Sequence, residues 1–449
     1  METPDASEPL SGVLHRTIEV VQAILGRLYR GDTSRDFAVR LWDGQIIPVR
    51  AGLPSRFTLV LTHPGALRRM FFPPGELTLA EAYLRGDFDI EGDMVAAMSL
   101  AVLLADLKPR DWLHLARQVL SLPKTEPPTP FEAGRQRARL RGRRHSRERD
   151  RAAVTYHYDT GNDFYALFLG RWMAYSCAYF PTETTDLDTA QEAKFEHICR
   201  KLRLKAGERL LDIGCGWGGL LVYAAERYGV QATGVNLSEP QVAYAREWAQ
   251  RAGLTDRVRV ELRDYRELDP DQPFDKIVSV GMFEHVGRTN LRAYFDAAYR
   301  ALRPGGLFLN HGIAAQYAHA PGLIGRALFQ QGQFSQRYVF PDGELVPISE
   351  ALAIAERAGF EVRDVESLRE HYALTLRHWV RNLEANQAEA VRVKDERTYR
   401  NWRLFMSASA LGFETGETNV FQALLSKSRN SPAEVPLTRD DLYLPHRQP

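Results

Sequence analysis

Cysteine is scarce: Cys177, Cys199 and Cys215 are the only three in 449 residues. No two of them stand at metal-ligand spacing, and an odd count of isolated thiols excludes a disulfide scaffold and fits a reducing compartment. Net charge is nearly absent as well, with 58 Lys+Arg against 57 Asp+Glu for a formal charge of +1. At 44% hydrophobic residues, the chain is neither disordered nor collagen-like. Long apolar runs are also missing. The longest, Met94 to Ala105, is interrupted by Ser99 and falls well short of the ~20 residues that cross a bilayer. The N-terminal METPDASEPL is acidic where a signal peptide is basic and then apolar. The expectation is therefore a cytoplasmic protein whose membrane contact is peripheral, on the inner face.

At roughly 100–200 residues per domain, the length predicts two or three domains. Up to Leu122, short strands such as Phe57–Leu61 mix with helical stretches at Leu77–Arg85 and Met94–Leu107, which predicts a small α+β domain over 1–122. Residues 123–130 (PKTEPPTP) hold four prolines in eight positions, an extended linker. Arg135 to Arg151 then carries nine arginines, closing a linker region over 123–155. From Lys205, short apolar runs (RLLDIG, QATGVNL, VRVELRD, FDKIVSVG, GLFLNHG) alternate with helical patterns. That alternation predicts an α/β fold with a mostly parallel, Rossmann-like sheet and helices on both faces, over a domain spanning 156–430. The polar segment 431–449 is expected to be a flexible tail.

The strongest local signal is LLDIGCGWGG, where Asp212 ends a strand and Gly214, Gly216 and Gly218 turn into a helix. Glycines there let the backbone approach a ligand. A dinucleotide site would read G-x-G-x-x-G with an acid about 20 residues on. Here the third glycine comes one position earlier, and Asn236 ends the next strand. The loop resembles that of class I methyltransferases that bind S-adenosylmethionine. The bland alternative is a tight turn without a ligand.

Further motifs occur in order: HYDTGNDFY (His157–Tyr165), YSCAYF (Tyr175–Phe180), AQEAK (Ala190–Lys194), GVNLSEPQ (Gly234–Gln241), DYREL, VSVGMFEHVG (Val278–Gly287), YVFPDGEL (Tyr338–Leu345) and HYALTL (His371–Leu376). Together the set resembles the cyclopropane-fatty-acyl-phospholipid synthase family, including the mycolic acid cyclopropane synthases, from about Tyr156 to Lys427. Residues 65–93 also resemble the accessory N-terminal domain of longer bacterial members, expected to serve lipid access or dimerisation. The resemblance implies an enzyme that transfers a one-carbon unit from S-adenosylmethionine to a cis double bond in a phospholipid acyl chain at the membrane surface. A carbocation would form and close to a cyclopropane ring.

By the same resemblance, Cys177, Glu284, His311, Ile313 and Tyr372 match the positions that hold a bicarbonate ion as base. The S-adenosylmethionine contacts fall on Tyr175, Ser176, Asp212, Gly214, Gly216, Gly218, Asn236, Gln241, Tyr265 and Arg266. No metal is expected. Other readings stay open: His311 as a satisfied core histidine, Cys177 as a small buried hydrophobe, and Asn236 or Ser238 as a helix N-cap. Two positions depart from the family: Ser409 replaces a Cys and Gly312 a Thr. A reshaped pocket there would let the proton leave elsewhere, giving a methylene or methyl-branched chain.

The arginine run would meet anionic lipid or form a solvated face, and near-zero overall charge argues against nucleic acid. Ala320–Phe334 has an apolar face at helical spacing, suited to core packing or to an acyl-chain channel. From another class, a non-catalytic lipid-binding protein would not need Glu284, His311 and Tyr372. A methyltransferase for a soluble molecule would not need the whole motif set. Dimerisation is a property of some relatives.

Overall fold

The computed structural model describes residues 10–29, 35–49, 53–105, 107, 109–269, 271–316, 332–433 and 435–443. Most of the expected amphipathic segment, residues 320–331, lies outside them. The chain divides into two compact units, whose described residues fall within 1–138, 319–339 and 387–411 for one and 139–318, 340–386 and 412–449 for the other.

The first unit is α+β. Strands β1 (Phe37–Arg40), β2 (Ile46–Ile47), β3 (Phe57–Leu61) and β4 (Phe88–Gly92) form a sheet in the order β2-β1-β3-β4. Helices Leu10–Tyr29, Glu76–Arg85 and Pro109–Leu120 belong to the same unit. Gly86 ends the second of these in a left-handed cap, its N–H returned to the carbonyls of Ala82 and Tyr83, and so turns the chain into β4. The stretch expected as one helix over Met94–Leu107 is two, Met94–Ala97 and Ser99–Ala105. At the break, Ser99 Oγ donates to the Ala96 carbonyl at 2.7 Å, a bond that competes with the helical ladder.

The contiguous domain expected over 156–430 is interrupted, because Gln387–Leu411 clusters with the first unit. Two guanidiniums on helix Glu396–Thr415 explain this. Arg400 donates to the carbonyls of Tyr83 (2.8 Å) and Phe88 (2.7 Å), and Arg403 to that of Ile90 (3.1 Å). Both are buried, so removing either would orphan carbonyls that water cannot reach.

The second unit holds a seven-stranded sheet of β5 (Arg209–Ile213), β6 (Gln231–Asn236), β7 (Val258–Leu262), β8 (Phe274–Val280), β9 (Leu302–Ala315), β10 (Glu361–Ser367) and β11 (Thr418–Ser426). Its order is β10-β11-β9-β8-β5-β6-β7. Strands β5 to β9 run parallel, and β11 is antiparallel to both its neighbours. Side chains alternate faces. Leu210, Val278, Leu307 and Leu309 pack with helices Leu187–Leu202, Gly219–Tyr228 and Glu239–Arg251. Leu211, Ile277 and Phe308 pack with Leu291–Ala301 and Ile348–Arg357 on the other face. Each fully buried large apolar side chain contributes about 1.5–3 kcal/mol. The strand order reverses at β5, with β6 on one side and β8 on the other, which opens a ligand crevice beyond their carboxyl ends.

The expected irregular tail carries a one-turn helix, Asp440–Tyr443, with Leu442 buried and Arg439 paired to Asp364 at 2.6 Å. With Arg203 also paired to Asp441 at 2.9 Å, two ion pairs and one apolar side chain hold the turn against its unit. Most of the arginine run is occupied within the chain: Arg135 on the Tyr338 carbonyl, Arg137 on Glu81, Arg144 and Arg149 on Asp342, Arg147 on Glu267 and Arg151 on Glu239. Arg139, Arg141 and Arg143 are exposed. No described helix is long and apolar enough to cross a membrane.

Candidate active site

A cleft lies within the second unit. Tyr175, Ser176, Asp212, Gly214, Gly216, Asn236, Gln241, Tyr265 and Arg266 all line it. Gly218 sits one step behind, as the N-terminal cap of helix Gly219–Tyr228. Gly214 (φ 86°) requires glycine twice over: its backbone is left-handed, and a Cβ would lie 2.9 Å from Met282.

Asn236 is not the N-cap of the following helix, a place taken by Ser238, but its Oδ1 accepts the Ser238 N–H at 3.2 Å. Its Nδ2 donates to Gln241 Oε1 at 2.8 Å and to the Gly216 carbonyl at 3.3 Å, tying the end of β6 to the glycine loop. Ser238 makes no side-chain cap bond. Arg266 is bidentate on Asp264 and also reaches Asp150 at 3.2 Å. Its charge is thus already paired at the cleft wall.

Asp212 is buried with its Oδ1 lacking a hydrogen-bond partner, and burial raises its pKa to about 7. Beside it lies a residue that the sequence offered only as part of AQEAK. Lys194 is 2% exposed and donates from Nζ to Ser176 Oγ at 2.9 Å; burial lowers its pKa to about 7, against the pull of Cys177 and Asp212. The cleft therefore contains a carboxyl and an amine that are both close to neutrality. Bringing in a cation would favour ionising Asp212.

Aromatic rings are the other feature missed. Tyr175 stacks on Trp379 at 5.2 Å and sits 5.6 Å from Tyr165; Tyr158 lies 5.7 Å from Trp217. Such faces attract cations. The signal was present in HYDTGNDFY, but ring clustering is a property of the fold.

Glu284 follows β8 on a short helical turn, Phe283–Val286, and is 4% exposed. Its Oε1 accepts the Ile313 N–H at 2.6 Å, while Oε2 has no hydrogen-bond partner; burial raises its pKa to about 7. Two residues before Ile313 on β9, His311 is 1% exposed. Its Nδ1 faces Gln422 Nε2 of β11 at 3.2 Å, and Nε2 has no hydrogen-bond partner. With the amide donating to Nδ1, the ring carries its proton on Nε2, and burial lowers its pKa to about 3, so it is neutral.

Tyr372 is buried against Phe413 (4.6 Å between rings), and burial together with Cys177, Glu284 and Tyr158 holds its phenol protonated. Cys177 is fully buried, 3.7 Å from the Leu368 carbonyl, and burial keeps it a thiol. Ser409 lies half-buried on helix Glu396–Thr415, in its first-unit portion. Among the described residues, no cluster of His, Cys, Asp and Glu is arranged to hold a metal.

The cleft fits S-adenosylmethionine: an orphaned Asp212 oxygen and an aromatic wall suit a cation, and the Asn236–Gln241 amides suit hydroxyls. The orphaned Glu284 and His311 atoms likewise suit a small oxyanion. Residues 145–423 match the family model described as mycolic acid cyclopropane synthetase. A probable fatty acid methyltransferase of Pseudomonas putida is 41% identical over 407 residues, covering 90% of this chain and 95% of that one. The cyclopropane-fatty-acyl-phospholipid synthase of Escherichia coli K12 is 37% identical over 60% of this chain and 66% of its own length. A solved mycolic acid cyclopropane synthase complexed with S-adenosylhomocysteine and the detergent CTAB superimposes with a TM-score of 0.58 at 34% identity, over 61% of this chain and 97% of that one. With this sheet, this glycine loop and a match over most of its length, the chain belongs to the mycolic acid cyclopropane synthetase family and is an S-adenosylmethionine-dependent methyltransferase.

Proposed function

We propose that the enzyme modifies the cis double bond of an unsaturated phospholipid acyl chain and closes the product to a cyclopropane. The observation that carries this reading is the pair of buried, unpartnered polar atoms, Glu284 Oε2 and His311 Nε2, on neighbouring segments of the second unit. Buried polar groups without partners are costly, and both are explained if they hold something. S-adenosylmethionine supplies an electrophilic methyl group. An alkene attacking it leaves a cation on the adjacent carbon, and loss of a proton from the new methyl closes the ring.

The chain's own residues meet the needs of that chemistry. Asp212 and the Asn236–Gln241 pair hold the cleft's polar end, and the Tyr158–Tyr175–Trp217 rings face positive charge without trapping it as a nucleophile would. Glu284, His311 and Tyr372, beside Cys177 and Ile313, would hold a bicarbonate ion, which would supply a base. An alkene is a weak nucleophile, so rigid positioning provides much of the rate.

A second reading, methyl transfer without ring closure, is favoured by one feature. A Cβ on Gly312 would lie 2.9 Å from Phe283 Cβ, so this ring fills the space that the family's Thr side chain would take. Proton NMR of fatty acids from a host rich in cis-unsaturated phospholipid, with and without the protein, separates the two. Upfield ring protons support the cyclopropane; vinylidene protons or a methyl doublet support the second reading. The absence of any new lipid would sink both.

A further inference from the structure

The first unit holds a second cavity, of about 180 Å³, which among the described residues shares no lining residue with the methyl-transfer cleft. Helix Leu10–Tyr29, strands β1, β3 and β4, helix Glu76–Arg85 and helix Glu396–Thr415 all contribute walls. Ile24, Phe37, Leu59, Met70, Leu79 and Met98 are representative of a surface that is almost wholly apolar. Folded interiors pack to crystal density, with few voids larger than a water molecule. A hydrocarbon-walled space of this size suits an apolar guest.

The ionisable groups at its walls are already committed. Glu76 accepts the N–H groups of Gln333 (3.2 Å) and Phe334 (3.3 Å), and the Tyr83 phenol accepts from Arg403 at 3.1 Å. Among the described residues no cationic side chain lines the cavity, so a free carboxylate has no counter-charge to meet there. Met70, Met94 and Met98 give the wall adaptable side chains. We propose that this cavity is a lipid site that holds the aliphatic chain of an esterified lipid. The choice of a lipid over another apolar guest rests on the proposed lipid substrate; the cavity does not.

The test uses the full chain with phosphatidylglycerol vesicles in which one acyl chain ends in a photoreactive diazirine, the label being mapped by peptide mass spectrometry. Label is expected on peptides within 67–104. Ala80→Phe, which fills the cavity from helix Glu76–Arg85, should reduce that label at least fivefold while leaving label in the second unit unchanged. If Ala80→Phe does not fold, Ala408→Phe fills the space from another wall. Absence of label from the first unit, or label insensitive to a folded filling variant, would overturn the proposal. Label that responds as expected in a protein that forms no modified lipid would leave the cavity standing and remove the catalytic reading.

Discussion

Glu284 is a carboxyl with one oxygen on a backbone N–H and the other without a partner, buried deeply enough to sit near neutrality. Glu284→Gln keeps the shape and removes the proton chemistry. Turnover should fall by about 10²-fold or more, while the affinity for S-adenosylmethionine, measured by calorimetry, stays within about twofold of wild type. Equal loss of both would make the residue structural. The same substitution has a stability signature. The folded carboxyl holds its proton up to about 7, against 4.5 when unfolded, so the wild type loses stability as pH rises through that window and the variant does not. Between pH 5 and 8 the stability difference should move in favour of the variant by on the order of 2–3 kcal/mol in denaturant titrations. Glu284 and His311 were singled out in the sequence through the family resemblance, which rests on motifs that are local. Lys194 was not: a lysine on a helix reads as a solvated side chain, and only the fold brings its amine to Ser176.

At the scale of elements, the turn after β8 and the middle of β9 are built to fit each other across Gly312. Gly312→Thr should cost about 1–3 kcal/mol by overpacking against Phe283, read as a lowered melting temperature. Phe283→Leu in the same chain should recover part of it; a Gly312→Thr variant as stable as wild type would show that the ring has room to move. Strands β5, β6, β7 and β8 were readable as apolar runs between helical patterns because a sheet buried on both faces demands continuous hydrophobicity. The break at Met98 was not, since a single Ser99 in an otherwise apolar stretch, Met94–Ala105, does not by itself end a helical pattern, and only the structure shows its hydroxyl on the Ala96 carbonyl. Nor was the place of Gln387–Leu411. Arg400 and Arg403 look like surface residues, and their carbonyl partners lie more than 300 residues away.

For the whole molecule, charge is nearly balanced, so any attraction to anionic lipid must be local. Six of the nine arginines in the run are bound within the chain, which leaves Arg139, Arg141 and Arg143 exposed. Replacing these three by Gln should weaken sedimentation with anionic vesicles at low salt, at about 1 kcal/mol each, and have little effect at high salt. Unchanged sedimentation would make them a solvated face. The sheet carries one more consequence. Strand β11, residues 418–426, lies between β9 and β10 and supplies the Gln422 amide that faces His311. During synthesis, every parallel strand of the second unit emerges before its neighbour across β9 exists. The nascent chain must therefore wait, with one long edge of β9 unpaired, until residues 418–426 are made. A chain ending at Gly416 should aggregate or be degraded even though its glycine loop is intact, and fusing a solubility partner to its C-terminus should not rescue it.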